Sequence, residues 1–302
     1  MANWHDCYLW TMFWVTLALG SALFLGFYDI AKKKALTGNA VLPVLFFVSL
    51  TCAAILSPAY VLGIIPALSS SDHLKLLLKA AIVTASWIFT FHAVSRLPLS
   101  ITAPVRASAP IFTIAMAVAF MGERPSTLEW LGIGISLAGY LAMSFASRKE
   151  TGHFFTNIWI LSMFFGTFLG SVSGIYDKFL LQRENLDPLA IQFYYNIYMA
   201  ILQGILIFVQ HLAKKGSPSR IRFQFRPVIL TVGIFLVAAD RFYFLAVHNP
   251  DALISVVTII RRSNVLISFL GGLFFFHERR SALKNLSMAG ILLGLLCFAM
   301  KS

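Results

Sequence analysis

The sequence predicts an all-α integral membrane protein, with ten transmembrane helices arranged as two inverted five-helix repeats around a central cavity. Three observations predict it: a shortage of charge, a succession of apolar runs of bilayer length, and an internal duplication. Hydrophobic residues make up 59% of the 302 positions and charged residues only 12%, where a soluble domain carries roughly 25%. Too little polar surface remains to dissolve a globule, so lipid is the natural solvent. A hydrocarbon core about 30 Å thick needs roughly 20 apolar residues per helix, and runs of that size recur from end to end.

Apolar runs and their breakers place helices near 9–35, 41–64, 75–95, 99–121, 128–146, 157–181, 188–212, 227–247, 251–276 and 283–300. The stops are turn chemistry: Thr37-Gly38-Asn39 after the first, Gly122-Glu123-Arg124-Pro125 after the fourth, His248-Asn249-Pro250-Asp251 after the eighth. The first run lacks the basic leader and small-residue cleavage site of a signal peptide, and reads as a retained helix. Gly166, Gly170 and Gly174 lie four apart on one helix, and Gly290 and Gly294 form a second such pair. Small residues at this spacing let helix backbones approach closely in lipid.

The duplication shows on self-comparison. Gly26-Phe27-Tyr28-Asp29 matches Gly174-Ile175-Tyr176-Asp177, and Pro104-Val105-Arg106-Ala107-Ser108 corresponds to Ile259-Ile260-Arg261-Arg262-Ser263. Glu123 follows Arg106, and Glu278 follows Arg261, at the same distance, and Leu128 and Gly139 then match Leu283 and Gly294. The repeats run over 9–146 and 157–300. Five helices is an odd number, so the two copies enter the membrane in opposite orientation. Inverted repeats are the common plan of secondary transporters, with the solute site near the midplane.

Charge sharpens the site. The net charge of +12 is carried mostly at helix ends, where Lys and Arg snorkel to the interface; no basic stripe crosses a polar face, which excludes a nucleic-acid partner. Charges within apolar spans are expensive and mark function by default. Here they are Asp29, Arg106, Asp177, Lys178, Asp240, Arg241, Arg261 and Arg262. Asp29 with Arg106, and Asp177 with Arg261, read as two pseudo-symmetric acid–base pairs, which either face the solute or only lock helices together. Arg262, Lys178 and Arg241 have no counterpart acid and are the better anion contacts, since a guanidinium offers a rigid fork of donors. Asp240 is a proton carrier or a partner of its neighbours. Tyr28, Tyr176 and Trp87 are candidate aromatic walls, His92 reads as a satisfied or lipid-facing histidine, and Glu123 and Glu278 as helix caps or partners of Arg124 and Arg279.

No nucleophile elbow, phosphate loop or metal-ligand spacing is present, so neither an enzyme nor a cofactor is predicted, and three scattered cysteines build no disulfide framework.

The stretch Leu97-Pro98-Leu99-Ser100-Ile101-Thr102-Ala103, then Ala109-Pro110-Ile111-Phe112-Thr113, Gly122-Glu123-Arg124-Pro125-Ser126, Gly132 and Gly139 resembles the EamA domain of the drug/metabolite transporter superfamily. Phe276-His277-Glu278-Arg279, Gly290 and Gly294 repeat it more loosely. The resemblance implies ten helices in inverted repeats and carriage of small solutes by alternating access. Asp29, Asp177 and the Arg261-Arg262 pair are more charged than the usual pattern.

The expected function is secondary transport of a small polar metabolite, anionic or zwitterionic, coupled to protons or a counter-substrate. A translocator of a lipid-linked intermediate, or a membrane-embedded enzyme, is the alternative. The chain is expected in a bacterial cytoplasmic membrane as a monomer or homodimer. Loop charge is lopsided: the loops after helices one, three, five, seven and nine hold most of the Lys and Arg. The positive-inside rule puts that side in the cytoplasm, whereas the resemblance implies cytoplasmic termini.

Overall fold

The computed structural model describes residues 4–96, 106, 108–146, 158–213, 222–264, 266–267 and 282–299. Among them are ten α-helices and no strand. They are α1 (Trp4–Leu36), α2 (Val41–Val61), α3 (Ser70–Arg96), α4 (Ala109–Met121), α5 (Thr127–Ala146), α6 (Ile158–Lys178), α7 (Pro188–Ala213), α8 (Val228–His248), α9 (Ile254–Arg262) and α10 (Ala282–Ala299). A π-helical turn, Phe179–Arg183, extends α6.

Six segments are long and apolar enough to cross a bilayer: Phe13–Leu36, Val41–Val61, Ser70–Ala93, Ile158–Arg183, Pro188–Leu212 and Val228–His248. These match the first three expected helices of each half. The expected helix 99–121 is seen only as Ala109–Met121, and 251–276 only as Ile254–Arg262; their remaining residues, and Glu278 with Arg279, lie outside the described ones. The outer faces carry bare apolar side chains such as Phe120, Leu161 and Phe208. So much exposed hydrocarbon is incompatible with water and suits lipid.

Local chemistry sets the helix ends. At the start of α5 the Ser126 amide donates to Glu129 Oε2 (2.6 Å) and the Glu129 amide to Ser126 Oγ (3.4 Å), a reciprocal capping box. Asp187 Oδ1 accepts from the amides of Leu189 and Ala190 at 2.9 and 2.8 Å, with Pro188 in the first helical position of α7. Gly122 closes α4 in the left-handed conformation (φ 69°), which lets the Glu123 amide reach back to the Ala117 carbonyl at 3.2 Å. Buried Asn39 ties the α1–α2 turn to the strand-like approach to α8, since it exchanges bonds with the Gln224 backbone at 2.7 and 2.9 Å.

The principal packing pairs are α1 on α8, α3 on α6, α2 on α7, α5 on α10, α4 on α9, α3 on α7, α2 on α8, α4 on α6 and α1 on α9. Exchanging each helix of α1–α5 for the one five places later returns the same set. The small residues serve close approach. A Cβ on Gly166 would meet Thr90 Cγ2 at 2.7 Å and the Ser86 carbonyl at 2.9 Å, so this glycine brings α6 against α3. Gly170 and Gly174 have looser neighbours and instead leave room in the cavity described next.

Candidate functional site

The six long helices do not fill the space between them. A cavity of about 260 Å³ lies among α1, α3, α4, α6, α7, α8 and α9. Eight charged side chains line it: Asp29, Asp177 and Asp240 against Lys32, Lys79, Arg106, Arg261 and Arg262. Tyr28 and Trp87 line it too, with Tyr195, Tyr243 and Phe244.

At one end, Asp29 on α1 is a hub. Lys32, one helical turn on, reaches Asp29 Oδ1 at 2.7 Å, and Arg106 Nη2 lies 3.5 Å from the same oxygen. Asn264 Nδ2 donates to Oδ2 at 2.7 Å, bringing the C-terminal end of α9 to the site. The Lys32 ammonium also sits over the Tyr28 ring, 4.4 Å from its centroid. Arg106 is 33% exposed and Asp29 14%, so water reaches this end.

Elsewhere the lining is driest at one pair, Asp177 with Lys79, whereas Arg261 and Asp240 are 23% and 11% exposed, much like Lys32 and Asp29. Asp177 on α6 pairs with Lys79 on α3, side chains 6% and 2% exposed, and the Tyr243 hydroxyl donates to the other Asp177 oxygen at 3.2 Å. Asp240 on α8 accepts from Arg261 Nη2 at 2.5 Å and from the Tyr195 hydroxyl at 2.6 Å. The cations are sandwiched by rings: Lys79 is 4.7 Å from the Tyr195 centroid, and the Arg261 guanidinium 4.0 Å from that of Tyr243. Each of these two cations therefore has both an opposite charge and an aromatic face, and each carboxylate a tyrosine hydroxyl, the arrangement that offsets desolvation.

Beyond these pairs lies a seal. Glu123 accepts from the amides of Ile254 and Ser255 at 2.6 and 3.2 Å, and from the Ser255 hydroxyl at 2.5 Å. It thereby caps the N-terminus of α9, where an anion also favours the helix dipole. Lys178 completes the knot, 2.6 Å from Glu123 Oε1. Gln182, in the π-helical turn, donates to the carbonyls of Val247 and Asn249 at 2.8 and 2.7 Å.

The expected residues thus separate. Asp29, Arg106, Asp240, Asp177, Arg261, Arg262 and Tyr28 meet in one cavity. Asp29 has the expected partner in Arg106, but Asp177 pairs with Lys79 and Arg261 with Asp240, contrary to the expected Asp177–Arg261 pair. Lys178, expected as an anion contact, is bound to Glu123 and is outside the cavity lining. Glu123 caps a helix as expected, though it is α9, and pairs with Lys178 rather than Arg124. Arg241 is outside the cavity lining, and so is Tyr176, whose hydroxyl donates to the Lys75 carbonyl at 3.2 Å. His92 bonds the Ile88 carbonyl at 2.8 Å, outside the cavity. Lys32 and Lys79 were the residues missed. Lys32 sits near the end of α1, where a lysine reads as interfacial, whereas Lys79 lies well inside α3 and is turned inward by helix packing.

A comparison with curated proteins gave no match. A solved crystal structure shares the fold, with a TM-score of 0.70 at 13% sequence identity over 95% of this chain and 96% of the other. Residues 12–145 match the EamA-like transporter family. Apolar spans and this match agree: the chain is a multi-pass integral membrane protein whose residues 12–145 match the EamA-like transporter family, part of the drug/metabolite transporter superfamily.

Proposed function

We propose that the protein is a secondary carrier that moves a small anionic or zwitterionic metabolite by alternating access, through the cavity between two inverted five-helix halves, 9–146 and 157–300. The observation that carries this reading is the contrast within one cavity between Arg106, 33% exposed, and the Lys79–Asp177 pair, 2% and 6% exposed. A solute site reachable from one end and sealed at the other is what one state of such a carrier requires. The helix pairing that survives exchange of α1–α5 for α6–α10 supports a second state in which the ends trade roles. Ten spans follow if α4, α5, α9 and α10 complete the two halves.

In this mechanism Asp29, Lys32, Arg106 and Arg262 receive the solute at the wet end, and Trp87 and Tyr28 flank it. The Lys79–Asp177 and Arg261–Asp240 pairs close the path ahead. Coupling is to protons or to a counter-solute. The test is reconstitution of the purified chain in liposomes loaded with an isotope-labelled metabolite extract and placed in the same extract unlabelled, followed by mass spectrometry of the labelled solutes that leave. Release of defined solutes by the natural protein, abolished in Asp29→Asn and Arg106→Gln, is expected. A natural protein that releases nothing beyond protein-free liposomes overturns the carrier reading.

A further inference from the structure

The charges lining the cavity do not balance, and the imbalance sits at one end. Elsewhere two acids meet two bases, Asp177 with Lys79 and Asp240 with Arg261. At the wet end one acid, Asp29, is shared by Lys32 and Arg106, and its second oxygen is already bonded to Asn264. Arg262 adds a third cation. It lines the same cavity, has no acidic side chain within ion-pair distance among the described residues, and is acted on by Arg106, Arg261 and Asp29. Among the described residues, three cations face one carboxylate here, an excess of two positive charges.

We infer that the substrate is a dianion, a phosphate monoester or a dicarboxylate, held by Arg106, Arg262 and Lys32, and that the carrier changes state only when loaded. This rests on the carrier reading above. While the end stays open, water and mobile anions solvate the excess charge. Occlusion removes that water, and two unpaired cations then face low-dielectric surroundings. A dianion cancels the excess; a zwitterion leaves it untouched, and a monoanion cancels half. The guanidinium forks suit both candidate groups, because each presents coplanar or tripodal oxygens to paired N–H donors. Tyr28 and Trp87 line the same cavity and offer apolar surface to the carbon part of such a solute. An empty carrier that cannot occlude exchanges one dianion for another and conducts little net flow.

The purified full-length chain is tested by thermal shift at constant ionic strength with sulfate, glycerol 3-phosphate, malate, lactate and alanine. At least one dianion raises the midpoint while lactate and alanine do not, and the shift is lost in Arg262→Gln and partly kept in Arg262→Lys. A response to glycerol 3-phosphate alone assigns a phosphate, and to malate alone a dicarboxylate. Labelled dianion then enters liposomes preloaded with the same dianion on the order of a hundredfold faster than empty ones, as the cost of burying an unpaired charge implies. Equal stabilisation by lactate or alanine, no response to any dianion, or equal entry into empty liposomes overturns the inference. Any of these leaves the carrier reading standing if the extract still yields transported solutes.

Discussion

The two Gly-x-Tyr-Asp segments carry the same chemistry and end in opposite surroundings. Asp29, in the first, lies at the wet end with a loose 3.5 Å contact to Arg106 and a helix-neighbour lysine. Asp177, in the second, is buried against Lys79 and Tyr243. Their tyrosines differ likewise: Tyr28 lines the cavity under Lys32, whereas Tyr176 turns away to the Lys75 carbonyl. Two equivalent sequences thus stand in unlike surroundings, as the proposed carrier requires of any one state. The segment itself does not decide whether it is open or sealed; the helices packed on it do.

The comparison breaks most sharply at the dry pair. Asp177→Asn strands the Lys79 ammonium among apolar neighbours and costs about 3–5 kcal/mol, read as a large fall in unfolding midpoint, with Asp177→Asn/Lys79→Met recovering much of it. Asp29→Asn, whose partner Arg106 is 33% exposed, costs less than Asp177→Asn while abolishing transport. If both neutralisations destabilise equally, the two ends are not in different states.

Glu123→Gln comes next, since it removes the counter-charge of Lys178 and weakens the cap on α9. The loss is about 2–3 kcal/mol, and because the seal loosens, transport under exchange conditions changes before the fold is lost. Smallest is Ser126→Ala, which removes half of the α5 capping box at about 1 kcal/mol and leaves transport intact. A transport defect there would place α5 in the working part of the molecule.

Much of this architecture was legible in the sequence. Apolar length alone placed α1–α3 and α6–α8 within a few residues, because lipid demands continuous helices and tolerates few breakers. The repeated Asp and Arg positions led to the cavity for the same reason: a charge inside a span needs a partner. The pairing was not legible. Duplication related Asp177 and Arg261 to Asp29 and Arg106, but a carrier with unlike halves need not pair them alike, and Lys79 intervenes. Lys178 follows Asp177 directly, yet adjacent helix residues point about 100° apart, so one faces the cavity and the other Glu123.

The most direct test of the two-state account is sided cysteine labelling in liposomes, on a chain freed of Cys7, Cys52 and Cys297. Thr90→Cys reports the wet end, near Phe91 and Arg106, and Leu181→Cys the sealed one, where Leu181 is fully buried. The account predicts that a membrane-impermeant maleimide labels the first position from one face only. The second stays protected until exchange begins, then labels from the opposite face as the first becomes protected. Labelling of both positions from the same face, or reactivities that do not change during exchange, would contradict it.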